Sequence, residues 1–421
     1  MYGLVLRRLQ AAAASPTDVT DANIRRLVAE ITWYGVLVGT TINLIQVYVV
    51  RLGASSLLLG AVTYGAALVS ILWQLPAGRL MAAHGRRMRW VVNSLLVHRL
   101  LYLAIALLPF FITRALAEVT VLLIVLQAFP LAASNTSFLA MMADMLPPQR
   151  TTQVVGWRMA GLGVTSTLST LAAGRILQRL AFPLNYQTIF LIGFAASLVS
   201  LWYVRRLHVV DPPPRRSEKA LLGDVGRMLQ RPGYAAFLLI ACLSHVVIGM
   251  IAPLLPLYWV RLLAATDGQI SILVTAASAA GVVGALSMQR LVGRIGRVWA
   301  LALAPAGYAL YPLLTSLSPS IWWLIPWAMM AGFFISALYT TLFSNLVALT
   351  PDQERTEYVS LYNMALFSGM FIGPIISGIL AEVPGGVVIG LRLAAGVGFA
   401  AALWAISQRR LLLEAGRRAD D

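Results

Sequence analysis

Apolar stretches long enough to cross a bilayer recur along this chain from Ile31 to Trp404, each separated from the next by charged or proline-rich residues. A helix needs ~20 mostly apolar residues to traverse a hydrocarbon core of about 30 Å. Within that core every backbone amide and carbonyl must be satisfied by the protein itself, which leaves helices and closed barrels as the spanning structures. The stretches are too long for barrel strands. The chain is therefore expected to be all-α and polytopic. Composition agrees: 59% of the 421 residues are hydrophobic and 11% are charged, against roughly a quarter charged in a soluble domain.

Six apolar runs fall in the first half, at residues 29–50, 57–80, 90–111, 119–143, 153–177 and 188–204. Six more follow at 234–260, 270–288, 299–317, 321–349, 359–381 and 387–406. The expected architecture is twelve transmembrane helices in two six-helix bundles, residues 29–204 and 234–406. Segments 1–28 and 407–421 flank the bundles, and 205–233 is a linker carrying Pro212 to Pro214, Arg215, Arg216 and Lys219. Leu221, Leu222, Val225, Met228 and Leu229 fall near one helical face, so this linker holds either a short surface helix or a plain tether.

Arginine placement predicts the orientation. One set of loops holds Arg79, Arg86, Arg87, Arg89, Arg150, Arg158, the linker cluster, Arg290, Arg294, Arg297 and Arg355, and the flanking segments add Arg7, Arg8, Arg25, Arg26, Arg409 and Arg410. The opposite face keeps Arg51, Arg114, Arg179 and Arg261. The positive-inside rule then puts both termini in the cytoplasm of a cell membrane, plasma or bacterial inner. The formal charge of +16 is thus read as topology, and nucleic acid is not an expected partner. The first 27 residues have no sustained apolar core, a poor match to a cleavable signal peptide.

The halves echo each other. Arg79, Leu80, Gly85 and Arg86 match Arg290, Leu291, Gly296 and Arg297 at one offset, and Thr136, Pro147 and Gln149 match Thr340, Pro351 and Gln353 at another. The loop after the second run resembles the signature of the major facilitator superfamily of secondary transporters, through Gly78, Gly85, Arg86 and Arg87. It departs at Ala82, where the family has an aspartate, and at Ala83. Asp144 and Arg150 resemble the acidic and basic pair of the fourth span, their other reading being a helix end with a topogenic arginine. The resemblance implies an inner gate built from Gly78, Gly85, Arg86, Arg87, Asp144, Arg150, Gly296 and Arg297. It implies alternating access and a cavity lined by the first, fourth, seventh and tenth spans. The fourth span of that family's proton-coupled drug antiporters carries an arginine three residues before a glutamine; this chain keeps Gln127 but has Ile124. Their Gly-x-x-x-Gly-Pro run stands here in the eleventh span, from Gly369 to Pro374.

Large polar side chains in the spans are the candidates for a substrate path: Asn43, Gln46, Arg99, Gln127, Asn135, His245, Tyr339 and Asn363. Each also has a plainer reading as a bridge between helices. Arg99 lies near mid-depth of the third span, where it binds an anionic substrate group or holds a polar network. Carboxylates are expected at loops and span ends. Glu30, at the start of the first span, is read as a solvated interfacial charge, with His245 and Glu30 the candidates for proton coupling. Cys242 is the sole cysteine, so no intrachain disulfide and no cysteine cluster for metal can form. Nucleotide-binding and zinc-hydrolase motifs are missing, so neither catalysis nor a cofactor is expected. The expected function is secondary transport of a small organic solute, with or without a coupling ion, export of amphipathic compounds being favoured over uptake of an organic anion. The alternative is a membrane receptor or assembly partner built on a transport fold.

Overall fold

The structure, a computed structural model, describes residues 16–84, 87–146, 148–209, 225–350 and 355–413. Twelve helical rods run through it. The first is Pro16–Leu37, continued through a π turn at Val38–Ile42 into Ile45–Arg51, and the second is Ser56–His84. Arg87–Phe111 is the third, Leu116–Leu126 with Ala128–Met145 the fourth, Pro148–Arg179 the fifth and Leu184–Val204 the sixth. The seventh is Tyr234–Leu257 with a π turn at Tyr258–Leu262, the eighth Asp267–Ile295 and the ninth Arg297–Ser316. Leu324–Leu349, Arg355–Leu380 and Gly386–Ser407 complete the set.

Eleven of these rods are long and apolar enough to cross a membrane. The fifth departs because Arg150, Arg158, Arg175 and Arg179 punctuate it. The first helix begins at Pro16, well before the expected start at residue 29, because Asp21, Arg25 and Arg26 carry it beyond the apolar run without breaking it. Of the proposed surface helix in the linker, the short helix Val225–Gln230 is present, and residues 221–224 lie outside the described residues.

Helix packing repeats the sequence echo. In the first half the first rod packs on the fifth and sixth, the second on the fourth, and the third on the fourth and sixth. In the second half the seventh packs on the eleventh and twelfth, the eighth on the tenth, and the ninth on the tenth and twelfth. Adding six to each rod converts one pattern into the other. The halves meet along two seams, second against eleventh and fifth against eighth, which exchange under the same operation.

Small residues set these crossings. A Cβ on Gly369 would sit 2.5 Å from the Cys242 carbonyl oxygen, and one on Gly373 would sit 2.4 Å from that of Val246. The Gly369-to-Pro374 run is thus the surface on which the eleventh rod presses against the seventh. Gly39, against the fifth rod, has its counterpart contact 2.3 Å from the Ser166 carbonyl oxygen. Close backbone approach replaces the hydrophobic drive that is lost between helices in lipid.

The two ends of the molecule differ. At the near end, where the first rod begins, each half has a separate apolar cluster: Ile24, Leu27, Met141 and Val204 in one, Phe237, Leu342 and Tyr358 in the other. At the far end a single cluster crosses the seam, joining Tyr48, Leu59 and Tyr186 to Met250, Trp259 and Leu273. The halves are therefore packed together at the far end.

Candidate functional site

Polar side chains meet at a cavity of about 330 Å³ enclosed by the first, second, third, fourth and eleventh rods. The first rod contributes Ile42, the last residue of its π turn, and Ile45 and Gln46 just beyond it. π turns realign the residues that follow and recur at functional positions. Here Thr170 of the fifth rod donates to the carbonyl of Gly39 at 3.0 Å, and Asn43 Nδ2 donates to Thr170 Oγ1 at 3.2 Å. Asn43 is thereby held between helices, whereas Gln46 turns to the second rod and donates to Thr63 Oγ1 at 3.1 Å.

Gln127 closes the opposite wall. It sits between Leu116–Leu126 and Ala128–Met145, the two helical pieces of the fourth rod. Its Oε1 is buried with no hydrogen-bond partner among the described residues. Such an acceptor costs on the order of 1–3 kcal/mol unless a ligand or water supplies the missing donor. Ser70, Tyr102, Phe367 and Met370 complete the lining with aliphatic residues of the second and fourth rods. Among the described residues the lining includes no charged side chain.

A second cavity of about 290 Å³ lies among the seventh to tenth rods, the counterparts of the first to fourth. Its walls are Trp259, Tyr308, Tyr311 and Ser278 with aliphatic neighbours. The first cavity is amide-lined and the second aromatic.

Of the remaining candidates, His245 is buried, its Nδ1 2.9 Å from the carbonyl oxygen of Ala241 and its ring edge-on to Tyr339 at 5.9 Å. Tyr339 and Asn135 are exposed, and Asn363 is half-buried. Arg99 is 1% exposed and belongs to a different cluster.

That cluster corrects the reading of Glu30 as a solvated charge. Glu30 is 6% exposed and Arg158, read from sequence as a loop arginine, is 7% exposed. Arg158 Nη1 lies 2.9 Å from Glu30 Oε2 and donates at 2.7 Å to the Leu27 carbonyl. Ser200 donates to Glu30 Oε1 at 3.3 Å, and Arg99 Nη2 donates to Ser200 Oγ at 3.0 Å. Phe138 lies under the Arg158 guanidinium at 5.2 Å. Five rods are tied by this network inside the first half. Arg99 Nε and Nη1 have no partner among the described residues. Carboxylates are expected only at loops and span ends, yet one serine separates Arg99 from Glu30.

Of the expected inner gate, Gly85 and Arg86 lie outside the described residues, as do the side chains of Arg87 and Asp144 and the surroundings of Gly78. Gly296, their echo in the second half, joins the eighth and ninth rods at φ +83°, a conformation that favours glycine, and Arg297 opens the ninth. Arg150 pairs at 2.6 Å with Asp21.

Sequence reasoning missed Thr63 and Ser70. They share a helical face with Val62, Ala66 and Ala67, and this stripe of small residues in an otherwise bulky span was the available signal.

No curated protein matches the chain. Solved structures do. A mutant form of the nucleoside transporter NupG aligns with a TM-score of 0.75 at 12% identity, over 92% of this chain and 99% of that one. The D-xylose–proton symporter aligns with 0.70 at 12% identity, over 92% and 96%. A bacterial homologue of the human lysosomal transporter Spinster gives 0.66 at 14% identity, over 96% and 98%. The sequence model of the Major Facilitator Superfamily matches residues 31–244 and again 237–419. Two like bundles, their shared packing pattern and this match over nearly the whole length lead to one assignment: the chain belongs to the Major Facilitator Superfamily of membrane transporters.

Proposed function

We propose that this protein carries a small, uncharged, amphipathic organic solute across a cell membrane by alternating access, binding it in the cavity between Gln46 and Gln127. The carrying observation is a cavity touching both halves whose polar groups, on Gln46, Thr63, Ser70, Tyr102 and Gln127, are amides and hydroxyls. Gln46 and Gln127 contribute amides and Thr63, Ser70 and Tyr102 hydroxyls to the lining, while Phe367 and Met370 of the other half give the solute an apolar face to lie against. A ligand that touches both halves couples its binding to their relative motion. An organic anion is disfavoured, since the described residues of the cavity wall include no cation and Arg99 is engaged with Ser200. The arginine bias supports both termini being cytoplasmic, which makes the near end the inner one.

Thermal shift of the purified protein against matched panels of neutral and anionic solutes tests this, because a ligand stabilises the state it binds. Neutral solutes with donors should raise the melting temperature, and Gln127→Leu should remove the effect. Stabilisation confined to anions and lost in Arg99→Gln would overturn the proposal.

A further inference from the structure

Among the described residues, three charged side chains at the far end make polar contacts that cross from one half to the other. Arg51, the last residue of the first rod, pairs through Nε with Asp267 at 3.0 Å and donates through Nη2 to the Ala265 carbonyl. Arg261, in the π turn ending the seventh rod, donates through Nη2 to the Ala54 carbonyl. Glu382, past the eleventh rod, accepts from the backbone amides of Ser56 and Leu57 at 2.9 and 3.3 Å.

The two arginine contacts are mates. Arg51 ends the first rod and reaches the start of the eighth, at Ala265 and Asp267; Arg261, in the last turn of the seventh, reaches Ala54, just before the second. Ala265 stands to Ala54 at the same sequence offset that relates Arg290 to Arg79. The mates are unequal, since Arg51 has the Asp267 carboxylate and Arg261 bonds a carbonyl. Glu382 works differently. The first amides of a helix have no partner within it, and a carboxylate there also meets the positive end of the helix dipole. Ser55 Oγ accepts from the Leu58 amide at 3.1 Å, so the second rod's N-terminus is capped in part by its own half and in part by Glu382 of the opposite one. At the near end the described side-chain pairs, Arg150 with Asp21 and Arg26 with His208, stay within one half.

We infer that Arg51, Arg261 and Glu382 form a reciprocal latch that holds the far end shut and sets the resting state with the cavity closed on that side. Parting the seam breaks these contacts together and leaves the Ser56 and Leu57 amides without the Glu382 carboxylate. Arg51 and Asp267 are partly buried, so water compensates the loss incompletely. The inference does not depend on which solute is carried or on which side of the membrane the far end lies.

The test is a spin-label distance measurement on full-length protein in nanodiscs. Labels go on Thr113→Cys and Leu317→Cys, exposed far-end positions on opposite halves, in a Cys242→Ala background. The parent should show mainly the short separation. Asp267→Asn, Arg51→Gln and Arg261→Gln should each raise the ratio of long to short separations, by about tenfold for the arginines. Arg51→Gln/Arg261→Gln together should raise it further. Arg114→Gln, which removes an exposed far-end arginine outside the latch, should leave the distribution unchanged. Distributions in Asp267→Asn and Arg261→Gln that superimpose on the parent overturn the latch, as does an equal shift in Arg114→Gln. These milder single variants read the latch if the double variant does not fold.

Discussion

Glu30 Oε2 and Arg158 Nη1 lie 2.9 Å apart in the interior of the first bundle, although 128 residues separate them in sequence. The carboxylate also takes the Ser200 hydroxyl, which in turn takes Arg99. Two guanidinium groups and one carboxylate are thus shielded together, and the value of each depends on the others staying in place.

Removing one partner of this pair strands a buried charge. Arg158→Leu and Glu30→Leu should each destabilise the protein by about 3–5 kcal/mol. Glu30→Leu/Arg158→Leu should recover much of that loss. Thermal unfolding of the purified variants reads both effects. Additive losses in the double variant would show that the two side chains act independently.

Arg99 is expected to serve this network and not the solute. Arg99→Leu should lower the melting temperature while affinity for a neutral solute changes less than about threefold, under ~0.7 kcal/mol. Isothermal titration alongside thermal unfolding separates the two readouts. A loss of affinity without a loss of stability would move Arg99 into the binding site.

Gly369 and Gly373 should tolerate no large side chain, because the seventh rod's backbone already occupies the space. Gly369→Leu is expected to cost several kcal/mol through overpacking and to abolish the monodisperse folded peak in size-exclusion chromatography. Gly396, with open space around its added Cβ, is the control and should accept leucine with little change.

The fold was legible from the spacing of apolar runs, because lipid leaves a helix no alternative, and the duplication was legible in Arg79 with Arg290 and Gly85 with Gly296. The buried pair was not. Glu30 and Arg158 each look, along the chain, like a charge at a span boundary, and burial is decided by how the first rod packs against the fifth. Arg51 and Arg261 were hidden for the same reason, reading as loop charges until the seam brought the halves together. Of the cavity wall, Gln46 and Gln127 stood out as large polar groups, whereas Thr63 and Ser70 are small enough to pass for packing residues. The π turn that precedes Gln46 packs against the fifth rod through Gly39, a tertiary contact that no local propensity encodes.

Solute flux into proteoliposomes, measured with a neutral compound that stabilises the purified protein, tests the central claim most directly. The parent should exchange labelled solute across the bilayer with saturable kinetics. Gln127→Leu should reduce the rate at low solute by about tenfold or more, the worth of one buried hydrogen bond to a ligand, while remaining folded. Flux that does not saturate, or that is unchanged in Gln127→Leu and Gln46→Leu alike, would contradict transport through this cavity.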